Sequence, residues 1–269
     1  MKLAWLTDPH LDSADKPAHR ALAGQLEQCR PDALLISGDI GQAASVIGYL
    51  DWLAEVAGCP VYFVLGNHDF YGGSIPVVRE AVRAHAAADR RLSYLTGAAA
   101  VTLCPEVALV GHDGWGDGRV GRAMESPVRL VDFYEIQELM GLKQAALVER
   151  LEGLGAEAAD TLEPTLLAAL GSHEHVLVVT HVPPTPESAW HEGQSSDDDW
   201  SPFFVCGAMG AMLQRVAAAH PRRRITVLCG HSHSAGEVWI RPNLQVRTGG
   251  AEYGKPGLQA PLMIMDGAW

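Results

Sequence analysis

The stretch Val61-Tyr62-Phe63-Val64-Leu65-Gly66-Asn67-His68-Asp69 sets the reading of the whole chain. Five apolar residues make a strand-sized run, a glycine ends it, and three polar side chains suited to metal or phosphate follow at once. The same arrangement stands twice upstream, where Lys2–Thr7 runs into Asp8-Pro9-His10 and Ala33–Ser37 runs into Gly38-Asp39. Between them, Ala18–Cys29 and Ala43–Ala57 carry helical apolar spacing with few breakers, and a third helix is expected over about Ile75–Ala87. Strands alternating with helices argue for an α/β sheet with parallel strands. Ligands of such sheets gather at the carboxyl ends of the strands, which is where these polar clusters fall.

Downstream, Leu92–Leu95, Ala99–Leu103 and Val107–Val110 are short and closely spaced, as expected of antiparallel strands. Residues 111–130 read as a glycine-rich loop, and about 131–170 as a helical region whose acidic residues make a solvated face. Val176–Thr180 leads to His181. A polar loop over 182–205 follows, in which Asp197-Asp198-Asp199 suits a loop or a helix N-cap. A helix near 206–219 then precedes Ile225–Cys229 and Gly230-His231-Ser232-His233. Strands near Val238–Ile240, Leu244–Arg247 and Leu262–Met265 close the chain, and no linker divides it, so one domain is expected over 1–269.

Composition bounds the function. The 269 residues are 48% hydrophobic and 19% charged, a globular balance, and their net charge is −12. An acidic surface repels phosphate backbones, so extended nucleic acid is an unfavourable partner unless a metal ion overrides the field. The apolar runs are strand-sized and the N-terminus lacks a signal-peptide core, so no membrane association is expected. Five cysteines at 29, 59, 104, 206 and 229 form no C-x-x-C pair, which suggests reduced thiols in a cytoplasmic protein.

The polar clusters are built almost wholly of Asp, His and Asn. Carboxylate and imidazole are the donors expected around manganese, iron or zinc. An isolated Asp-x-His is uninformative, since about 0.7 would occur by chance in this composition. Gly-Asn-His-Asp is different: with two asparagines in the chain, about 0.0006 occurrences are expected.

The ordered set Asp8-x-His10, Gly38-Asp39, Gly66-Asn67-His68-Asp69, His181 after a strand, and Gly230-His231-x-His233 resembles the calcineurin-like metallophosphoesterases across most of the chain. The resemblance implies an α/β fold in which two mixed β-sheets pack as a sandwich flanked by helices, four α-β-β-α layers in all, with a two-metal site at one edge. By position, Asp8, His10 and His233 would hold one metal, Asn67, His181 and His231 the other, and Asp39 would bridge both. His68 would contact the phosphate and assist the leaving group, and Asp69 would orient His68. The implied cofactors are two divalent ions, manganese foremost and iron or zinc next. The implied reaction is hydrolysis of phosphodiester, and also phosphomonoester, bonds of a small phosphate ester by a hydroxide that bridges and is activated by two metals.

Two other readings compete. A metal-dependent nuclease is disfavoured by the charge of −12 and the lack of a basic patch. A non-catalytic scaffold of the same fold is disfavoured because every ligand position is filled. His112, Arg119 and Arg122 are candidates for substrate binding, arginine pairing well with phosphate, against a plainer role as loop residues. Trp115, Trp190 and Trp200 lie beside the motifs, where they would contact an organic leaving group or simply pack.

Overall fold

A computed structural model describes residues 1–191 and 193–263. Its strands are β1 (Lys2–Leu6), β2 (Ala33–Ser37), β3 (Val61–Val64), β4 (Leu92–Tyr94), β5 (Val101–Cys104), β6 (Val107–Gly111), β7 (His175–Val179), β8 (Trp190–His191), β9 (Gln194–Ser195), β10 (Arg224–Cys229), β11 (Gly236–Arg241), β12 (Leu244–Thr248) and β13 (Leu262–Met263). The helices are α1 (Lys16–Cys29), α2 (Val46–Ala57), α3 (Ile75–Ala88), α4 (Asp132–Glu135), α5 (Gln144–Ser172), α6 (Ser201–Phe204) and α7 (Gly207–Ala219). Residues 264 and 265 of the expected closing strand lie outside the described residues.

One sheet has the order β13-β1-β2-β3-β4 and the other β11-β12-β10-β7-β6-β5. Within each, the central strands are parallel: β1 with β2 and β2 with β3, and β6 with β7 and β7 with β10. Alternation along the strands builds the layers. Leu3, Trp5, Leu35, Val64, Leu109, Leu177, Val179 and Leu228 meet in one buried cluster between the sheets. Their neighbours Ala4, Leu6, Leu34 and Ile36 turn outward and pack with Leu22 and Leu26 of α1 and Leu50 and Leu53 of α2. On the other side, Val176, Val178, Ile225 and Val227 pack with Leu162 and Leu166 of α5 and Met209, Leu213 and Val216 of α7. Because both faces of these strands are buried, they read as continuous apolar runs. The four-layer sandwich is the one implied by the motifs.

One expectation needs correction. Of the three strands β4, β5 and β6, only β5 and β6 pair antiparallel; β4 runs parallel to β3, and β6 parallel to β7. The helix α3 between β3 and β4 supplies the crossover that a parallel return requires.

The carboxyl ends of β1, β2 and β3 face those of β7 and β10 across the sandwich. The loops after them are tied together: Asp8 N–H donates to Gly38 O, His10 N–H to Asp39 O, and Gly230 N–H to His181 O.

Candidate metal centre

The ligand candidates sit on strained backbone. Of the six non-glycine residues with positive φ among the described residues, five are Asp8, His10, Asp39, His231 and His233; the sixth, Arg30, caps α1. Such conformations are costly for residues with a Cβ and persist only where surrounding structure enforces them. Here the enforcement is visible. A Cβ on Gly66 would run into Asp39 Oδ1, and one on Gly230 into Asp8 Oδ2, so the missing side chains make room for the carboxylates. Gly38, at φ +93°, turns the chain where a Cβ would also stand 2.7 Å from His181 Nδ1.

The side chains converge in two groups. Ligand atoms of Asp8, His10, Asp39 and His233 lie within 4.8 Å of one another, as do those of Asp39, His181 and His231. Asp39 belongs to both, with Oδ2 3.7 Å from His10 Nε2 and Oδ1 3.4 Å from His181 Nε2. Asn67 joins the second group through its carbonyl, 3.1 Å from His181 Nε2. The imidazoles are aimed by bonds on their far nitrogens. His181 Nδ1 donates to Ser37 O at 2.8 Å, leaving Nε2 as the lone-pair face toward Asp39 and Asn67. His231 Nε2 donates to Phe203 O at 3.0 Å, leaving Nδ1 facing His181 Nε2 at 3.2 Å. His10 Nε2 and His233 Nε2 face each other at 3.0 Å. Lone pairs from several rings converge on two buried carboxylates, a donor set that fits cations.

Electrostatics says the same of the protein alone. Burial raises the carboxyl pKa of Asp39, but His181, His68 and His10 outweigh it and hold the group well below the usual carboxylate range. Asp8 is likewise lowered against burial, chiefly by His233 and His181. Burial pushes His181 down, yet Asp39 and Asp8 bring it up to about 10, whereas burial and the neighbouring His181 take His231 down to about 3. Two buried carboxylates among these rings demand positive charge, which a bound cation would supply.

His68 stands at the margin of the cluster with its side chain 23% exposed. Its backbone N–H donates to Asp39 Oδ1 at 2.9 Å, and its ring stacks on Tyr71 with centroids 4.3 Å apart. Asp69 does not meet the expectation that it orients the His68 ring. Its oxygens accept instead from the backbone N–H groups of Ile40, Gly41 and Gly66 at 2.8–2.9 Å, so it clamps the β2 and β3 loops to each other.

The three substrate-binding candidates are engaged elsewhere. The His112 ring is buried, with Nδ1 accepting from Gly114 N–H and Nε2 3.5 Å from Glu157 Oε1 on α5. Arg119 donates to Glu152 O and lies 3.4 Å from Asp117 Oδ2. Arg122 donates to Asp199 Oδ1 at 3.0 Å. The Asp197 carboxylate accepts from the N–H groups of Asp199 and Trp200, a local turn in the loop before α6. Trp115 is buried beside Phe70.

Two contributors lie outside the motifs. Asp132 accepts from Asn67 Nδ2 at 2.9 Å and from the Tyr71 hydroxyl at 2.6 Å. The Tyr253 ring lies 4.4 Å from that of His10 and 5.0 Å from that of His233, and its hydroxyl is 3.4 Å from His68 Nε2. Isolated Asp and Tyr residues carry no local pattern that would mark them.

Comparisons with known proteins agree with this architecture. A probable cyclic nucleotide phosphodiesterase of Synechococcus sp. is 36% identical over 81 residues, 26% of this chain and 31% of that one, so the match spans under a third of that relative. A phosphopantetheinyl hydrolase from Mycobacterium tuberculosis shares the fold with TM-score 0.64 at 15% identity, over 96% of this chain and 95% of its own. A dimetal phosphatase from Danio rerio does so with TM-score 0.57 at 16% identity, over 93% and 87%. Residues 1–235 match the model of the calcineurin-like phosphoesterase family, and the chain belongs to that family.

Proposed function

We propose that the protein is a metal-dependent phosphoesterase that hydrolyses phosphodiesters, and phosphomonoesters as well, of small organic groups. The observation that carries this reading is Asp39 turning one oxygen to each of two donor groups. Asp8, His10, His233 and Asp39 would hold one divalent ion, and Asn67, His181, His231 and Asp39 the other. When bound, the two ions supply Lewis acidity toward the phosphoryl oxygens and activation of the attacking water. A carboxylate between the ions offsets their repulsion, and the neutral Asn67 amide leaves the centre positive enough to attract an anion.

His68 would deliver the proton to the leaving group. It is partly exposed, hinged on Asp39 through its N–H and flattened against Tyr71, so its ring can reach an ester oxygen leaving the centre. Preference for diesters is supported by the matched relative being a probable cyclic nucleotide phosphodiesterase. Manganese is the proposed ion, since imidazole with carboxylate and amide oxygen suits it, with iron or zinc as the other choices. The test is an assay with Mn²⁺ on a bis-aryl phosphate, an aryl monophosphate, cyclic nucleotides and single-stranded DNA, with and without chelator. Chelator-sensitive cleavage of the small esters is expected. Cleavage of DNA alone would favour the nuclease reading, and no cleavage of any substrate would contradict both.

A further inference from the structure

A pocket of about 450 Å³ opens beside the candidate metal centre, walled by Trp190, Trp200, Phe204 and Ser232. Two of its walls adjoin the centre. The Phe204 ring lies 4.5 Å from that of His231, and Ser232 stands between His231 and His233 in the chain. The Trp200 ring meets Phe204 edge-on, with centroids 5.8 Å apart and planes at 61°. The Trp190 indole lies over Gly236 of β11 so closely that a Cβ there would run into the ring.

The aromatic walls are the decisive feature, since Ser232 is only 8% exposed and its Oγ is closed off from solvent. The charge of the pocket narrows the choice. Asp197 lines it, and no lysine or arginine does among the described residues. A second phosphate therefore finds no fixed cation here, only the His191 imidazole beside the Asp197 carboxylate, whereas flat apolar surface finds aromatic walls. The volume falls within the range of small-molecule sites.

We propose that this pocket binds the organic group of the phosphate ester, and that the group is a flat aromatic ring system. This rests on the phosphoesterase reading, which places phosphorus at the centre and its substituent in the adjoining cavity.

Non-hydrolysable phosphonates test it by binding, without turnover. Methylphosphonate and naphthylmethylphosphonate are titrated calorimetrically into the full-length Mn²⁺-loaded protein. The naphthyl compound should bind at least ~10-fold more tightly than the methyl compound. Trp200→Ala and Gly236→Ala, the latter displacing the Trp190 indole, should each reduce that ratio several-fold. A ratio of two affinities on the same sample is insensitive to any unfolded fraction. A naphthyl-to-methyl ratio near one in the wild type, or one preserved in both wall variants, would overturn the pocket. The two readings fail separately: ester hydrolysis without ring preference leaves the reaction standing and removes the pocket, and ring preference without hydrolysis does the reverse.

Discussion

Asp132 Oδ1 accepts a hydrogen bond from Asn67 Nδ2 at 2.9 Å, and that bond decides which end of the Asn67 amide faces the metal centre. With the nitrogen committed to Asp132, the carbonyl oxygen is left toward His181 Nε2 at 3.1 Å, the only end of an amide that can bind a cation. Asp132 is itself buried and held by the Tyr71 hydroxyl, so the orientation is built into the packing around α4.

Asp132→Ala should therefore free Asn67 to turn its amide. Groups that orient ligands typically contribute about 10- to 100-fold in metal affinity. The variant is expected to lose that much affinity at the site of Asn67, His181 and His231 while keeping the other ion. A metal titration resolving two binding steps checks it, and two wild-type steps would show that Asp132 has no part in the centre.

His68→Ala should separate binding from chemistry. The variant is expected to retain both ions and lose ~10²–10⁴-fold in turnover, as for removal of a general acid. The deficit should shrink with a nitrophenolate leaving group, which departs without protonation. Loss of one ion would make His68 a ligand, and an equal deficit for good and poor leaving groups would exclude proton delivery as its role.

The long-range parts of this picture explain what the sequence did and did not reveal. Asp8, Asp39, Asn67, His181 and His231 were legible because each follows directly on an apolar strand, and parallel strands deliver their ends to one edge. Asp132 and Tyr253 were not, because a hydrogen bond or a ring contact can join residues 65 or 185 positions apart with no local trace. The substrate roles offered to His112, Arg119 and Arg122 rested on residue type in a loop, and the structure commits those side chains to Glu157, Glu152 with Asp117, and Asp199. The direction of β4 was readable in principle, since the helical spacing of Ile75–Ala87 already supplied a crossover.

Arg79 joins the sandwich to α5, donating to Asp113 Oδ2 at 2.8 Å and to Glu157 Oε2 at 3.2 Å. Burial raises the Glu157 pKa, but the nearby His112 ring and the Arg79 charge reverse this and bring it down to about 2 from the usual 4.5. Because the folded value is the lower one, the stabilisation is complete above about pH 4.5 and is lost as pH falls toward 2. Glu157→Gln should accordingly lower the urea midpoint relative to wild type at pH 7, and the gap should narrow at pH 3.5. A gap that is constant or wider in acid would contradict the ion pairing.

The central claim is that Asp39 is shared by two metal sites, and metal content tests it most directly. Wild-type protein and Asp39→Asn are purified without chelator, equilibrated with Mn²⁺, desalted, and measured for metal per chain. The wild type should carry close to two ions. The variant should carry markedly fewer, because a neutral amide cannot offset the charge of two dications. Metal near zero in the wild type, or two ions retained by Asp39→Asn, would contradict the account.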